Sequence, residues 1–123
     1  MPWTVANHDE FDPEFDVLPE PVQDALLATA MVLAEFGPQL GRPHVDTLSG
    51  SRYSNMKELR FDADNGVWRV AAAFDPERKA ILLVAGNKAG VAQKRFYKSL
   101  IATADERFTR HLAKLRAEKP KGK

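Results

Sequence analysis

The sequence predicts a small α+β fold, in which a β-hairpin and a third strand form one antiparallel sheet packed against an N-terminal and a C-terminal helix. Three observations carry this expectation. Asn65-Gly66 separates two runs of alternating character, "KELRFDAD" and "VWRVAAAF", and such a dipeptide signals a tight hairpin because both turn residues must tolerate positive φ. "KAILLVAGN" follows as a short apolar run, the pattern of a central strand buried on both sides. Before and after these strands, apolar residues recur at helical spacing. The 123 residues are enough for one domain, residues 1–123, that buries a core without staples.

Taken in order, residues 3–7, "WTVAN", fit a short strand. A helix begins near "PEPVQDALL", where Pro21 suits a first-turn position. Val22, Ala25, Leu26, Thr29, Leu33 and Phe36 form its buried stripe, and Gly37-Pro38 ends it. "GPQLGRPHVDTLSGS" reads as a loop, with room for one helical turn. Strands are expected over 56–62, 67–74 and 79–86. A two-residue Asn65-Gly66 turn pairs Asp64 with Val67, Asp62 with Arg69, and Arg60 with Ala71. Alternation then places Leu59, Phe61, Trp68, Val70 and Ala72 on a core face. Glu58, Arg60, Asp62, Arg69, Ala71 and Ala73 share the other. Counted through a four-residue "DPER" turn, Lys88 joins the face of Arg60 and Arg69. A final helix spans about 91–116, with Tyr97, Leu100, Ile101, Ala104, Phe108 and Leu115 as its stripe. The basic tail, 118–123, is expected to be disordered.

Composition narrows the function classes. With no cysteine there are no disulfides and no thiolate metal sites. The acidic opening "MPWTVANHDEFDPEFD" lacks the apolar run of a signal peptide. No stretch approaches the roughly 20 apolar residues of a membrane span. A soluble, cytoplasmic protein without membrane contact is expected. Charge is unevenly spread. Residues 1–50 carry nine acids and one base, Arg42, whereas residues 51–123 carry seventeen bases and eight acids. Such separation fits an electropositive surface for a polyanion, or else a solvated helix and tail.

Two guanidinium groups in the best predicted sheet demand a reason. Beside the small Ala71 and Ala73, Arg60 and Arg69 would border a concavity suited to a flexible anion. The alternative for Arg69 is a cross-strand ion pair with Asp62 on an ordinary solvated face. Lys88, Lys94, Arg95 and Lys98 gather at the start of the last helix, where cations oppose the macrodipole unless an anion occupies the site. Tyr97 fits either a stacking or hydroxyl-donating role there, or a place in the helix core. Glu58 is a base on the arginine face or a charge partner for Lys57 or Arg60. His8, His44 and His111 are scattered without metal-ligand spacing. "GNKAG" lacks the spacing of a nucleotide-binding loop, and no Gly-x-Ser-x-Gly motif is present. No metal or other cofactor is expected.

The segments "LSGSRYSNMKELRF", "VWRVAAAFDPERKAILLVAGNKAG" and "RFYKSLIATADERFTRHLAKL" resemble the RelE/HigB-like toxins of type II toxin–antitoxin modules, in the phage-derived branch. The likeness covers roughly residues 38–116. It implies a RelE-like α+β fold with helices on one side of an antiparallel sheet, and a toxin that cleaves mRNA in the ribosomal A site. It also implies a helix-turn-helix antitoxin as partner, in a toxin–antitoxin hetero-oligomer. Carried over by motif, the catalytic set is Lys57, Arg60, Arg69 and Lys88, with Tyr97 beside them. Arg52, Lys94, Arg95 and Lys98 would contact RNA. The arginines suit phosphate charge, because guanidinium stays ionised and offers two donors. Lys57, Lys88 or Tyr97 would handle protons. The near-neutral net charge departs from the strongly basic character of many such toxins. A gyrase-inhibiting toxin of the same fold and a non-catalytic RNA-binding module are the alternative readings.

Overall fold

The computed structural model describes residues 2–118. The elements are β1 (Thr4–Asn7), α1 (Phe11–Asp16), α2 (Glu20–Phe36), β2 (Val45–Thr47), β3 (Met56–Ala63), β4 (Gly66–Phe74), β5 (Lys79–Asn87) and α3 (Gln93–Glu118), with a 3₁₀ turn at Gly37–Gln39. Of the expected tail, Glu118 instead ends α3, and 119–123 lie outside the described residues. The strands form one sheet in the order β1-β5-β4-β3-β2. The expected hairpin and third strand are its centre. Two short edge strands are added, and β1 runs parallel to β5, so the sheet is mixed rather than wholly antiparallel.

The hairpin closes two residues from the expected register. Ala63 pairs with Gly66, Asp62 with Val67, and Arg60 with Arg69. The turn residues are Asp64 and Asn65, with φ of 51° and 60°, a left-handed pair that Asp and Asn tolerate through their short polar side chains. Gly66 is needed for another reason. A Cβ there would lie 2.7 Å from the Asn87 amide and 2.8 Å from the Trp68 indole nitrogen. Because the displacement is two residues, the side-chain faces are those expected.

Both faces of the sheet are covered, not one. Leu59, Val70, Ala72, Ala80 and Leu82 pack with Phe11 of α1 and Leu26 and Leu33 of α2. Met56, Ala71, Ala73, Ile81 and Leu83 pack with Phe96, Leu100, Ala104 and Phe108 of α3. Ala71 and Ala73 therefore border no open concavity. They are fully buried, and their small side chains leave room for α3 on the strands. Phe36, placed in the α2 stripe by its spacing, is exposed. Trp3 instead lies against the backbone of Gly37, which ends the helix at φ 67°.

Part of the uneven charge is paired within the molecule. Arg107 donates to both carboxylate oxygens of Glu14, at 2.9 and 2.6 Å, and to the Leu83 carbonyl at 2.7 Å. Arg110 pairs with Glu10, and Lys114 with Asp9 at 3.0 Å. The acids around α1 thus pair with Arg107, Arg110 and Lys114 of α3, whereas Lys94, Arg95 and Lys98 at its start form no ion pair among the described residues.

Two of the three histidines, scattered in sequence, meet in space. The His8 and His111 rings lie 6.5 Å apart, and His111 Nε2 sits 2.8 Å from Asp75 Oδ2. Burial, the leading cause, holds the His8 pKa below its ordinary value of 6.5. The unfolded chain therefore takes up this proton first as pH falls. Stability present above pH 6.5 should be lost below it, down through the folded-state value. Thermal melts of His8→Asn should show a shallower decline over that window than the wild type. An equal decline would exclude His8 as its source.

Candidate active site

Arg60 and Arg69 face each other directly across β3 and β4, a pairing of like charges that needs compensation. Glu58, two residues before Arg60 on the same face, supplies it. Its Oε2 lies 3.2 Å from Arg60 Nη1, and its Oε1 lies 3.6 Å from Arg69 Nε. Oε1 also accepts the Tyr97 hydroxyl at 2.7 Å. Glu58 and Arg69 are each only 6% exposed, so their charges are shielded from water and strongly coupled. Arg69 Nη1 donates to the Trp68 carbonyl at 2.8 Å, while its buried Nε makes no hydrogen bond. The ion pair of Arg69 with Asp62 does not form, since Val67 occupies the position opposite Asp62.

Lys88 reaches this group by a different route from the one counted in sequence. The strands β4 and β5 start with Phe74 opposite Ala80, and a bulge between Ala71 and Ala72 then shifts the register so that Arg69 faces Gly86. Lys88 N donates to the Val67 carbonyl at 2.8 Å, continuing that register. Its ammonium stands 5.6 Å from the centre of the Tyr97 ring, within cation–π range. Desolvation, then the charges of Arg69 and Arg60, pull the Lys88 pKa below its usual value. Burial, followed by the hydrogen bond to Glu58, pushes the Tyr97 phenol up. The Tyr97 hydroxyl is held as a donor to Glu58.

A cleft of about 700 Å³ opens above this group, lined by Arg42, Asp46, Glu58, Arg60, Lys88, Lys94 and Tyr97 among others. A second, of about 380 Å³, adjoins it through the shared Arg42 and Arg60 and is also lined by Arg69. Arg60, Arg69, Lys88, Tyr97 and Lys94 are thus together. Lys57 is not. Alternation turns it to the face of Leu59, and its ammonium bonds Thr47 Oγ1 at 3.2 Å. Arg95 lines a separate groove with Val84, Gly86 and Phe96. Lys98 is exposed, and Arg52 is exposed beside the middle of α3, its backbone N–H donating to Asp105 Oδ2 at 3.0 Å. Sequence reasoning missed Arg42, held by Asp46 at 2.8 Å. The hint was its isolation as the single base among nine acids.

The assembled groups can bind the oxygens of a phosphodiester through several donors while excluding part of the solvent. Among the described residues no group of three His, Asp or Glu side chains is placed to hold a metal ion. No described helix is long and apolar enough to cross a membrane.

The chain resembles known proteins in sequence and in fold. The chain is 43% identical over 120 residues to a protein of Mycobacterium tuberculosis named toxin HigB2, covering 97% of this chain and 59% of that protein. It is 51% identical over 77 residues to another from the same organism named toxin HigB3, covering 63% of this chain and 65% of that one. The chain thus spans about three fifths of the length of these relatives. A free-state structure of E. coli toxin RelE, with two arginines replaced by alanine, superposes with a TM-score of 0.56. That match covers 83% of this chain and 96% of RelE at 14% identity, and it establishes a common fold. Residues 13–109, which hold both central arginines, Lys88 and Tyr97, match the family described as phage derived protein Gp49-like (DUF891), and the chain belongs to that family.

Proposed function

We propose that this chain is the toxin of a type II toxin–antitoxin pair and acts as an endoribonuclease on ribosome-bound mRNA. The observation that carries the reading is the gathering of Arg60, Arg69 and Tyr97 on one buried carboxylate, with Lys88 beside Tyr97, at two adjoining clefts. The toxin names of the relatives support it.

In the proposed reaction the 2′-hydroxyl attacks the adjacent phosphorus as the bond to the 5′-oxygen breaks, leaving a 2′,3′-cyclic phosphate and a 5′-hydroxyl. Arg60 and Arg69 hold the charge that builds on the equatorial oxygens. Tyr97 donates its O–H to the same group. Lys88, its pKa drawn down, gives its proton to the leaving 5′-oxygen, a transfer that improves as the donor's pKa approaches the working pH. Cations are poor acceptors for the proton of the 2′-hydroxyl. The proton of the 2′-hydroxyl therefore passes to an acceptor group of the ribosome, which completes the site. Metal assistance is not invoked, because Arg42, Arg60, Lys88 and Lys94 around the cleft would repel a divalent cation.

The partner in this reading is a helix-turn-helix antitoxin that forms a hetero-oligomer and covers the cleft. Expression of the chain alone should arrest growth with loss of intact mRNA, and co-expression of the partner should reverse both. Arrest with intact mRNA would transfer the reading to a gyrase inhibitor or an RNA-binding module, separated by whether gyrase is inhibited.

A further inference from the structure

Three groups that the two adjoining clefts would offer a phosphodiester, Arg60, Arg69 and Tyr97, are already engaged by an anion of the protein's own. Glu58 lies within 3.2 Å of Arg60 Nη1 and 3.6 Å of Arg69 Nε, and it accepts the Tyr97 hydroxyl at 2.7 Å. A carboxylate presents to guanidinium groups much the same oxygens as a phosphate does. We infer that Glu58 is an internal stand-in for the substrate phosphate: it keeps Arg60, Arg69 and Tyr97 in place before substrate binds and yields them when a phosphate enters. The inference rests on reading the cleft as a phosphodiester site.

Four features point this way. Two guanidinium groups set opposite each other in a buried sheet need a counter-charge, and Glu58 is the carboxylate within reach of both. Its hold is incomplete. Arg69 Nε is buried, yet at 3.6 Å from the carboxylate it makes no hydrogen bond, and a buried donor left unpaired is costly. An entering phosphate oxygen would satisfy it. Glu58 also lines the open cleft, so its carboxylate has somewhere to move. Asp62, on the same face of β3, is exposed and forms no ion pair among the described residues, so the role depends on position rather than on charge alone.

A stand-in of this kind makes opposite demands on binding and on turnover. It competes with every phosphate and so weakens binding by the free protein, while it keeps the arginines aligned for the reaction. A ligand with several phosphates overcomes the competition by reaching Arg42 and Lys94 at the rim. An isolated phosphate does not.

Glu58→Gln tests this, since it keeps the size and the acceptor for Tyr97 and removes the charge. The probes are inorganic phosphate and a short 2′-O-methyl oligonucleotide, which cannot be cleaved. Calorimetry should show both binding ~10- to 100-fold more tightly to the variant, while cleavage of ribosome-bound mRNA becomes slower. Equal phosphate affinity in the two proteins would overturn the inference, whatever the oligonucleotide does. Tighter phosphate binding with no affinity for the oligonucleotide in either protein would uphold the stand-in and remove the nucleic-acid reading. Should the variant fold poorly, the wild type supplies the same test by NMR. Saturating oligonucleotide should shift the Arg69 Nε–H signal and abolish the Tyr97-to-Glu58 hydrogen bond. Persistence of that bond in the saturated complex would overturn the inference.

Discussion

Arg60→Ala is expected to slow mRNA cleavage by ~10²–10³ while leaving the protein folded, the loss of one well-placed donor to transition-state charge. Arg69→Ala is expected to lose cleavage and stability together. The difference lies in burial. The Arg60 side chain is 19% exposed and lines both clefts, whereas that of Arg69 is 8% exposed and sits deep against Glu58. Removing Arg69 leaves a buried carboxylate with half its counter-charge, a change that costs ~3–5 kcal/mol when the pair is fully buried. Against a total stability of ~5–15 kcal/mol for a small domain, that is a large fraction. Cleavage assays on ribosomes, paired with thermal melts, check both variants. A folded Arg60→Ala protein that cleaves at the wild-type rate would remove Arg60 from the chemistry. Wild-type stability in Arg69→Ala would mean that Glu58 finds its charge balance elsewhere.

That the sequence pointed to this cluster owes something to the arithmetic of strands. Side chains repeat every two residues, so the two-residue slip at the hairpin changed every partner and no face. Lys88 is subtler. Its expected place depended on a four-residue turn and an unbroken ladder, and both assumptions failed by one residue, in ways that cancel. The turn is lengthened because Asp75 Oδ1 accepts the backbone N–H groups of Glu77 and Lys79, each at 2.9 Å, with Arg78 at φ 63°. The bulge between Ala71 and Ala72 then restores the parity. Neither event leaves a mark in local propensity. Lys57 shows the opposite failure. Motif likeness placed it beside Arg60, although alternation alone would have put it on the other face of β3.

Elements held by tertiary contacts rather than by local pattern were hidden. β2 is three residues long, inside a Gly- and Pro-rich stretch, and exists because β3 offers it an edge. With β2 comes Arg42, brought to the cleft from a segment whose sequence reads only as loop. The six-residue α1 has no repeating stripe to reveal it. The two halves of the chain are also less separate in charge than their composition suggests. Composition counts charges, and only the fold shows that Asp9, Glu10 and Glu14 are spent on Lys114, Arg110 and Arg107.

Arg107 offers the sharpest separation of stability from function. Its guanidinium ties three elements together, donating to the Leu83 carbonyl of β5 and to Glu14 of α1 from the middle of α3. Arg107→Met, which keeps the length of the stem packed against the sheet, should destabilise the fold by ~1–3 kcal/mol. Most of that comes from the buried Leu83 carbonyl, left without its partner. The Glu14 side chain is 47% exposed and can return to water, so its share is small. For the same reason Lys114→Met should barely move the melting temperature, since both Lys114 and Asp9 are exposed. Added salt should weaken the Lys114 and Arg110 pairs and leave the Arg107 contribution nearly intact, because a buried contact is poorly screened. Arg107 lies about three helical turns from Tyr97, so Arg107→Met should cleave mRNA normally at temperatures where it stays folded. Urea titrations at low and moderate salt, with cleavage measured well below the melting point, test each part. A variant as stable as the wild type would mean that the Leu83 carbonyl finds another donor. Lost cleavage in a folded variant would mean that the tie to α1 governs the position of Tyr97 as well.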